Sequence, residues 1–493
     1  MSNETINEIR LEGEKLLRSL NNELYLNLSG LKKACNLDKI YRSHQAFSEP
    51  DLYMSLKDLT TNDKDEERSF KLLKSFTAGN FIESRTAKIK DKTYLSNMSN
   101  SIIVDKRVIP YRSSVPEIKN EPKRSKREEI ISKFNEIAIN LKPFILEIHD
   151  IIQRSSEEIG FKSYTHLCDE LEGLKLNSLK QIAQTFLIDT EYIYRDLLRW
   201  FLLNRMELKI GNAKSQDLYY LFNNYELKAN FIKTDLASLS KRFLDKMSLQ
   251  IGENIFMDLE RRTSKISESF CTPIEVPNKI ILSIYPIGGV EDYESLLNEL
   301  GKALSFRYSE TDDYFEFKRL RENTYLEIFA QLFKNLIYQP KWLKKYLSVD
   351  VNSDFLEFLY LKHLMGIRRY CGEILYVSSI EEENIKPDSE NLRELLKIAI
   401  LANINEHEYL TDIQQLSHSV FSFRASLIEA GFRMYLRERF DEEWWREGRT
   451  GDLLINLWRR GGRIDSSEIA NSFGKGDLDT APLLKTFEEA FRI

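Results

Sequence analysis

Within YESLLNELGKALSF (293–306), Asn298, Glu299 and Lys302 stand at a spacing that concentrates polar chemistry on one helical turn. Positions i and i+4 lie one above the other on a helix, so the ends of Asn298 and Lys302 can meet with the Glu299 carboxylate beside them. A carboxylate held there suits general-base work on a water. An ammonium at i+4 suits a different task, the compensation of nearby acids. Tyr293, Leu296, Leu297, Leu300, Ala303 and Leu304 recur at i, i+3, i+4 and i+7, which predicts an amphipathic helix over 291–306. N-E-x-x-K alone also occurs on exposed helices, where Glu and Lys at i, i+3 form a mild ion pair.

The neighbourhood argues for more than a surface pair. The same spacing carries H-E-x-x-H, in which two histidines hold one zinc ion and the Glu between them is general base on the metal-bound water. Both histidines are missing here. The six in the chain are His44, His149, His166, His363, His407 and His418, and no two are spaced i, i+3 or i, i+4. A β-rich run, VPNKIILSIYPIGG (276–289), immediately precedes the helix. A second carboxylate, Glu327, follows inside the apolar helical segment RENTYLEIFAQLFKNLI, with 24 residues between it and Lys302.

The order FCTPIEVP, KIILSIYPIGG, YESLLNELGKALSF, ENTYLEIFAQLF resembles the M3 peptidases, the thimet oligopeptidase and oligoendopeptidase F group. It is most specific over 270–335, looser through 180–225 and SFRASLIEAGFRMYLRERFDEEWW, and adds little over 1–125. The resemblance implies a mainly α fold, a large helical gluzincin body with a small β-sheet beside the cleft. The family's motif is H-E-x-G-H, with a third ligand Glu on the next helix. Carried over, Asn298 stands at the first ligand, Glu299 at the general base, Gly301 at the family's glycine, Lys302 at the second ligand and Glu327 at the third. The family's oxyanion tyrosines fall on a late helix, where this chain has His418 to Ser422 and no Tyr.

These departures imply that zinc is lost as a cofactor. A protonated Lys302 has no lone pair and repels a divalent cation, and Asn298 offers only a weak neutral oxygen. The expectation is that Lys302 sits among Glu299, Glu327 and the Asn298 amide, so that the two acids are compensated. Glu299 would then be vestigial. The protein would be a catalytically inactive M3-like chain whose former cleft binds peptides or a protein partner, an extended peptide adding to the strand at 279–285. Two alternatives stay open: a peptidase or hydrolase with altered metal or metal-free chemistry, and a scaffold whose cleft is filled by its own side chains.

The elements that must position these residues are mostly helical. Helical patterns cover 4–35, 66–90, 189–206 with Asp189 as N-cap, 215–225, 233–250, 322–338, 353–375, 390–404 and 417–440, and a long pattern runs from 130 around Pro143. Between 91 and 129, Pro110, Pro116, Pro122 and the charge run EPKRSKREE read as an extended connection. The expected division is 1–125, an N-terminal helical region and connection, and 126–493, the peptidase-like helical domain.

Composition bounds the rest. The 493 residues are 42% hydrophobic and 30% charged, enough for a large core. A net charge of −6 argues against a nucleic-acid partner. Four scattered cysteines form no C-x-x-C, which fits reduced thiols in the cytoplasm, and the polar N-terminus has no signal-peptide pattern. No run is apolar enough to span a membrane. Cys271 could line the cleft but has no neighbouring base in sequence. NEHEYL (405–410) has acids and a His on different helical faces. WRRGGR (458–463) reads as a helix end with Gly461 in the left-handed cap position, and WWREG (444–448) as core packing.

Overall fold

The periodic segments fold as helices. The computed structural model describes residues 3–223, 235–383, 389–405, 416–474 and 476–491. Among them the helices of twelve residues or more are α1 (Asn3–Leu28), α2 (Lys64–Ser99), α3 (Arg124–Glu158), α4 (Leu176–Asp189), α5 (Glu191–Met206), α6 (Val290–Arg307), α7 (Asn323–Lys334), α8 (Ser353–Glu383), α9 (Ser389–Ile400), α10 (Leu416–Phe440) and α11 (Gly448–Arg460). The strands are β1 (Ser101–Val104), β2 (Arg107–Pro110), β3 (Ile255–Asp258), β4 (Phe270–Glu275) and β5 (Lys279–Ser283). This is the mainly α body with a small sheet that the sequence implies. Among the described residues no helix is long and apolar enough to cross a membrane.

The sheet follows the order β3-β5-β4, with β3 parallel and β4 antiparallel to β5. The apolar run KIILS is therefore the central strand, buried over Ile280–Ser283. This corrects one expectation. A strand hydrogen-bonded on both sides has no free edge, so a peptide cannot add at 279–285. The available edges belong to β3 and β4, which sequence patterning did not reveal as strands.

Several boundaries also shift. α1 stops at Leu28 rather than 35, because the chain turns at Gly30 (φ 77°), where a Cβ would lie 2.8 Å from the backbone of Ser264 and Lys265. Residues 91–129 are not an extended connection. α2 continues to Ser99, and β1 and β2 form a hairpin that buries Ile102, Val104 and Ile109. Ser114–Asn120 is helical, and α3 begins inside the charge run, with Pro143 accommodated in its interior. The basic run is structural there: Arg127 is buried and donates to Asp217 at 2.9 Å. Asp189 ends α4 instead of capping α5, which Thr190 precedes.

Within the 215–225 and 233–250 patterns the described helices are Ser215–Phe222 and Leu236–Leu244, the second capped by Asp235, while residues 224–225 and 233–234 lie outside the described residues. The 322–338 helix gives way to a 3-10 turn after Lys334, 353–375 extends to Glu383, and 390–404 ends at Ile400. Gly461 has φ 54° but ψ −134°, outside the left-handed helical region; a Cβ there would meet the Phe317 carbonyl at 2.3 Å. Trp444 and Trp445 are buried, as core packing requires. In NEHEYL, residues 406–410 lie outside the described residues.

α6 begins where Gly288 and Gly289 (φ 91° and 87°) let the chain turn off β5. The Asp292 carboxylate folds back to accept from the backbone N–H of Ile287 at 2.8 Å and Gly288 at 2.9 Å. Glu291 and Asp292 in the first turn and Arg307 in the last complement the helix dipole. The expected apolar stripe is buried, but so are Glu294, Glu299, Gly301, Ser305 and Phe306, so α6 is a core helix rather than a surface one. α7 packs along it, with Ile328, Phe329, Leu332 and Phe333 fully buried.

Gly301 sets their separation. A Cβ on it would lie 2.2 Å from the Phe329 carbonyl oxygen, which is backbone and cannot rotate away. Gly301→Ala is therefore expected to lower unfolding stability by about 2 kcal/mol or more in urea titrations. Gly366→Ala on α8, where a Cβ meets nothing within 4 Å, is expected to be neutral or stabilising by about 0.5–1 kcal/mol.

Candidate functional site

Five elements bring the chemistry-bearing residues together: α6 supplies Asn298, Glu299 and Lys302, α7 supplies Glu327, β4 and the residue before it supply Cys271 and Ser269, α8 supplies Tyr370, and α10 supplies His418 and Ser422. The Lys302 Nζ lies 2.7 Å from Glu327 Oε1 and 3.8 Å from Glu299 Oε2. The Asn298 amide nitrogen donates to Glu299 Oε1 at 2.9 Å, and Ser269 Oγ donates to the same oxygen at 3.3 Å. Glu299 Oε2 is buried with no hydrogen-bond donor among the described residues, and the Lys302 ammonium stands 3.8 Å from it. The four residues singled out in sequence thus form one connected chain of contacts, from Asn298 through Glu299 and Lys302 to Glu327.

The charges are mutually dependent. Burial pulls the Lys302 pKa down, but Glu299 and Glu327 outweigh it and hold the ammonium well above its ordinary value. Burial pushes Glu327 up, yet Lys302, with His418 assisting, holds it below the usual carboxylate range. At Cys271 burial and the Glu299 charge push the thiol up, against a smaller opposing pull from Lys302. Cys271 is therefore a protonated thiol here, not a nucleophile.

Tyr370 and Ser269 are site residues that sequence reasoning missed. Tyr370 is half-buried beside Glu327 and Glu373; desolvation, with those two carboxylates, pushes its phenol up to about 12, and it hydrogen-bonds with Ser422. His418 Nε2 lies 3.3 Å from Ser422 Oγ and its ring meets Tyr370 edge-on. The segment His418 to Ser422 does reach the site, and a phenol stands there, supplied by α8 instead of α10. No spacing rule links Tyr370 to Glu327, because their contact is made only by packing of separate helices. One turn before Asn298, Glu294 pairs with Lys362 at 2.5 Å and accepts from Tyr338 at 3.4 Å.

These residues do not fit a zinc ion. The ammonium of Lys302 occupies the space beside Glu327 that a cation would need, the Asn298 side chain presents its nitrogen to Glu299, and the Cys271 thiol keeps its proton. Among the described residues no group of three or more His, Cys, Asp or Glu side chains is disposed to hold a metal.

No family model matches the sequence, and no curated protein is significantly similar to it in sequence. Solved structures are similar in shape. PZ peptidase A, solved with an inhibitor, superposes with a TM-score of 0.66 at 14% identity, over 99% of this chain and 97% of that one. A protein assigned as oligoendopeptidase F gives 0.68 at 13% identity, over 99% and 96%. Another, from Bacillus anthracis, gives 0.61 at 13% identity, over 96% and 85%. The chain has the fold of the oligoendopeptidase F peptidases. The likeness spans nearly the whole chain, including residues 1–125, where the sequence alone carried little of it.

The Lys302–Glu327 pair yields a pH test. Glu327 has a depressed folded pKa, so its contribution is full above its unfolded value and is lost as pH falls through the folded one. Lys302 has a raised folded pKa, so its contribution is full below its unfolded value and is lost as pH rises through the folded one. Lys302→Met should cost about 3–5 kcal/mol at pH 7, because it strands two buried carboxylates. The variant should recover part of that loss between pH 7 and pH 5 as those acids take up protons. Urea melts at pH 5, 6 and 7 check this; a loss that does not change with pH would contradict the electrostatic account.

Proposed function

We propose that this chain is a non-hydrolytic protein on an oligopeptidase fold, and that the site around Glu299 binds peptide segments instead of cleaving them. The observation that carries the reading is the Lys302 ammonium, 2.7 Å from Glu327 and beside Glu299, at the helical position where the M3 resemblance puts a zinc-ligating histidine. A fixed positive charge there neutralises the acids that a metal would otherwise join. Without a Lewis acid, no water is brought to a pKa near 7, and Glu299 by itself supplies too little acceleration for amide hydrolysis.

Peptide binding is supported by the edge of β4. Ile280 and Ile284 donate from β5 towards β3, so Ile281 and Ser283 face β4 and pair with Thr272 and Phe270. The backbone groups of Cys271 and Pro273 consequently point away from the sheet, Cys271 next to Glu299. An extended peptide adding at Cys271 would pass the site. A second reading, a cleft closed by the chain itself, is favoured by Asn21 of α1, whose amide donates to the Pro273 carbonyl at 2.9 Å. The net charge of −6 speaks against nucleic acid as the partner, and four cysteines that form no disulfide accord with a reducing, cytoplasmic setting.

Metal analysis of the purified protein is expected to find no stoichiometric zinc, and quenched fluorescent peptides are expected to stay intact. A peptide-library binding screen should return hits, whereas a self-filled cleft gives none. Asn298→His combined with Lys302→His should bring measurable zinc affinity by calorimetry. Stoichiometric zinc with peptide cleavage in the unaltered protein would overturn the reading, and no gain of zinc affinity in the double variant would count against the assignment of the two ligand positions.

A further inference from the structure

Helix α5 has two unlike faces. Tyr194, Leu198, Phe201 and Leu202 enter the core. On the opposite side Tyr192 is 82% exposed, and Trp200 and Leu203 are each 50% exposed. Ile188, at the end of α4, and Ile398, on α9, are also largely exposed. The two segments are adjacent, because the Arg368 guanidinium donates to the carbonyls of both Leu187, at 2.8 Å, and Ala399, at 2.7 Å. The outward side of α5 thus exposes three large apolar side chains along one helix face, where a single one would be unremarkable.

The pattern along α5 names the occupant. Tyr192, Asp196, Arg199 and Leu203 are spaced 4, 3 and 4 residues apart, the spacing of a coiled-coil seam. Run antiparallel against itself about a two-fold axis between residues 197 and 198, this seam is self-complementary. Tyr192 meets Leu203 and Asp196 meets Arg199, each pairing occurring twice. A parallel pairing would set Asp196 against Asp196 and Arg199 against Arg199. Both residues are exposed, and neither makes an ion pair or hydrogen bond among the described residues. Polar groups at seam positions fix register and orientation at some cost in strength.

We propose that the outward face of α5 is a homodimer interface in which two copies of the chain pair antiparallel about this axis. The contact is independent of the site around Lys302. A sixteen-residue helix spans about 24 Å, so the buried area is at the low end of specific interfaces and the dimer is a weak, concentration-dependent one.

Sedimentation velocity of the full chain from about 1 to 200 µM should show the mass rising towards twice the monomer. Trp200 is the one exposed tryptophan of five, the others being Trp342, Trp444, Trp445 and Trp458, all buried. Iodide quenching should therefore fall as concentration rises. Asp196→Arg or Arg199→Asp alone should weaken association about tenfold or more, and the two together should restore it to within about threefold, because the swap preserves self-complementarity. Tyr192→Glu should abolish it, with circular dichroism confirming that each variant remains folded. A chain that stays monomeric throughout, a dimer indifferent to the single reversals, or one not restored by the double swap would overturn the proposal.

Discussion

Gly301 has no Cβ, and the core around it leaves no room for one. With the Phe329 carbonyl 2.2 Å from where that atom would stand, α6 and α7 approach backbone to backbone. Much follows from that approach. It packs the fully buried side chains of α7 against the stripe of α6, and it brings Lys302, one residue past the glycine, within 2.7 Å of Glu327. A wider separation would leave a buried acid and a half-buried ammonium each short of its partner, and uncompensated burial is far costlier than a lost surface pair. The glycine is thus a packing device first, and the electrostatics of the site inherit its geometry.

The site in turn behaves as one charge system. Two carboxylates and one ammonium leave a net negative charge, which Asn298 and Ser269 relieve by donating to the same oxygen of Glu299. The upstream turn of α6 repeats the arrangement, where Lys362 serves Glu294 at 2.5 Å and Glu291 at 3.6 Å. Lysine against buried acid is therefore a recurring solution along this helix. That recurrence accords with a structural role for Lys302, which compensates Glu327 as Lys362 compensates Glu294.

What could be read from the sequence was what local rules encode. The stripe from Tyr293 to Leu304 gave α6 its bounds to within a residue, and the sequence order from FCTPIEVP to ENTYLEIFAQLF pointed to a fold that the solved structures share over nearly the whole chain. The misses come from tertiary context. Residues 91–129 looked irregular because their prolines and charges obscured a hairpin whose buried side is only Ile102, Val104 and Ile109. β5 looked like an available strand because a fully buried run does not announce whether it is central or at an edge; only the partners β3 and β4, too short and mixed to be noticed, decide that. Tyr370 was invisible because it joins Glu327 across helices with no fixed sequence separation.

The same limit explains α5. Its inward residues supply the periodicity that predicts a helix, so the outward set of Tyr192, Asp196, Arg199 and Leu203 reads as the solvent face by default. Two of those residues are charged, which hides the seam from any hydrophobic count. Only when exposure is known does the 4-3-4 spacing acquire meaning, because it then describes side chains exposed among the described residues instead of ones already packed. The site and the α5 face therefore pose opposite problems to a reader of sequence. At the site, polar residues stand in a buried helix and look exposed. On α5, large apolar residues stand in the open, masked by the charged residues between them. Both errors have one origin, the assumption that polarity reports burial, and both sit where the chain departs from that rule to do something a plain core or a plain surface would not require.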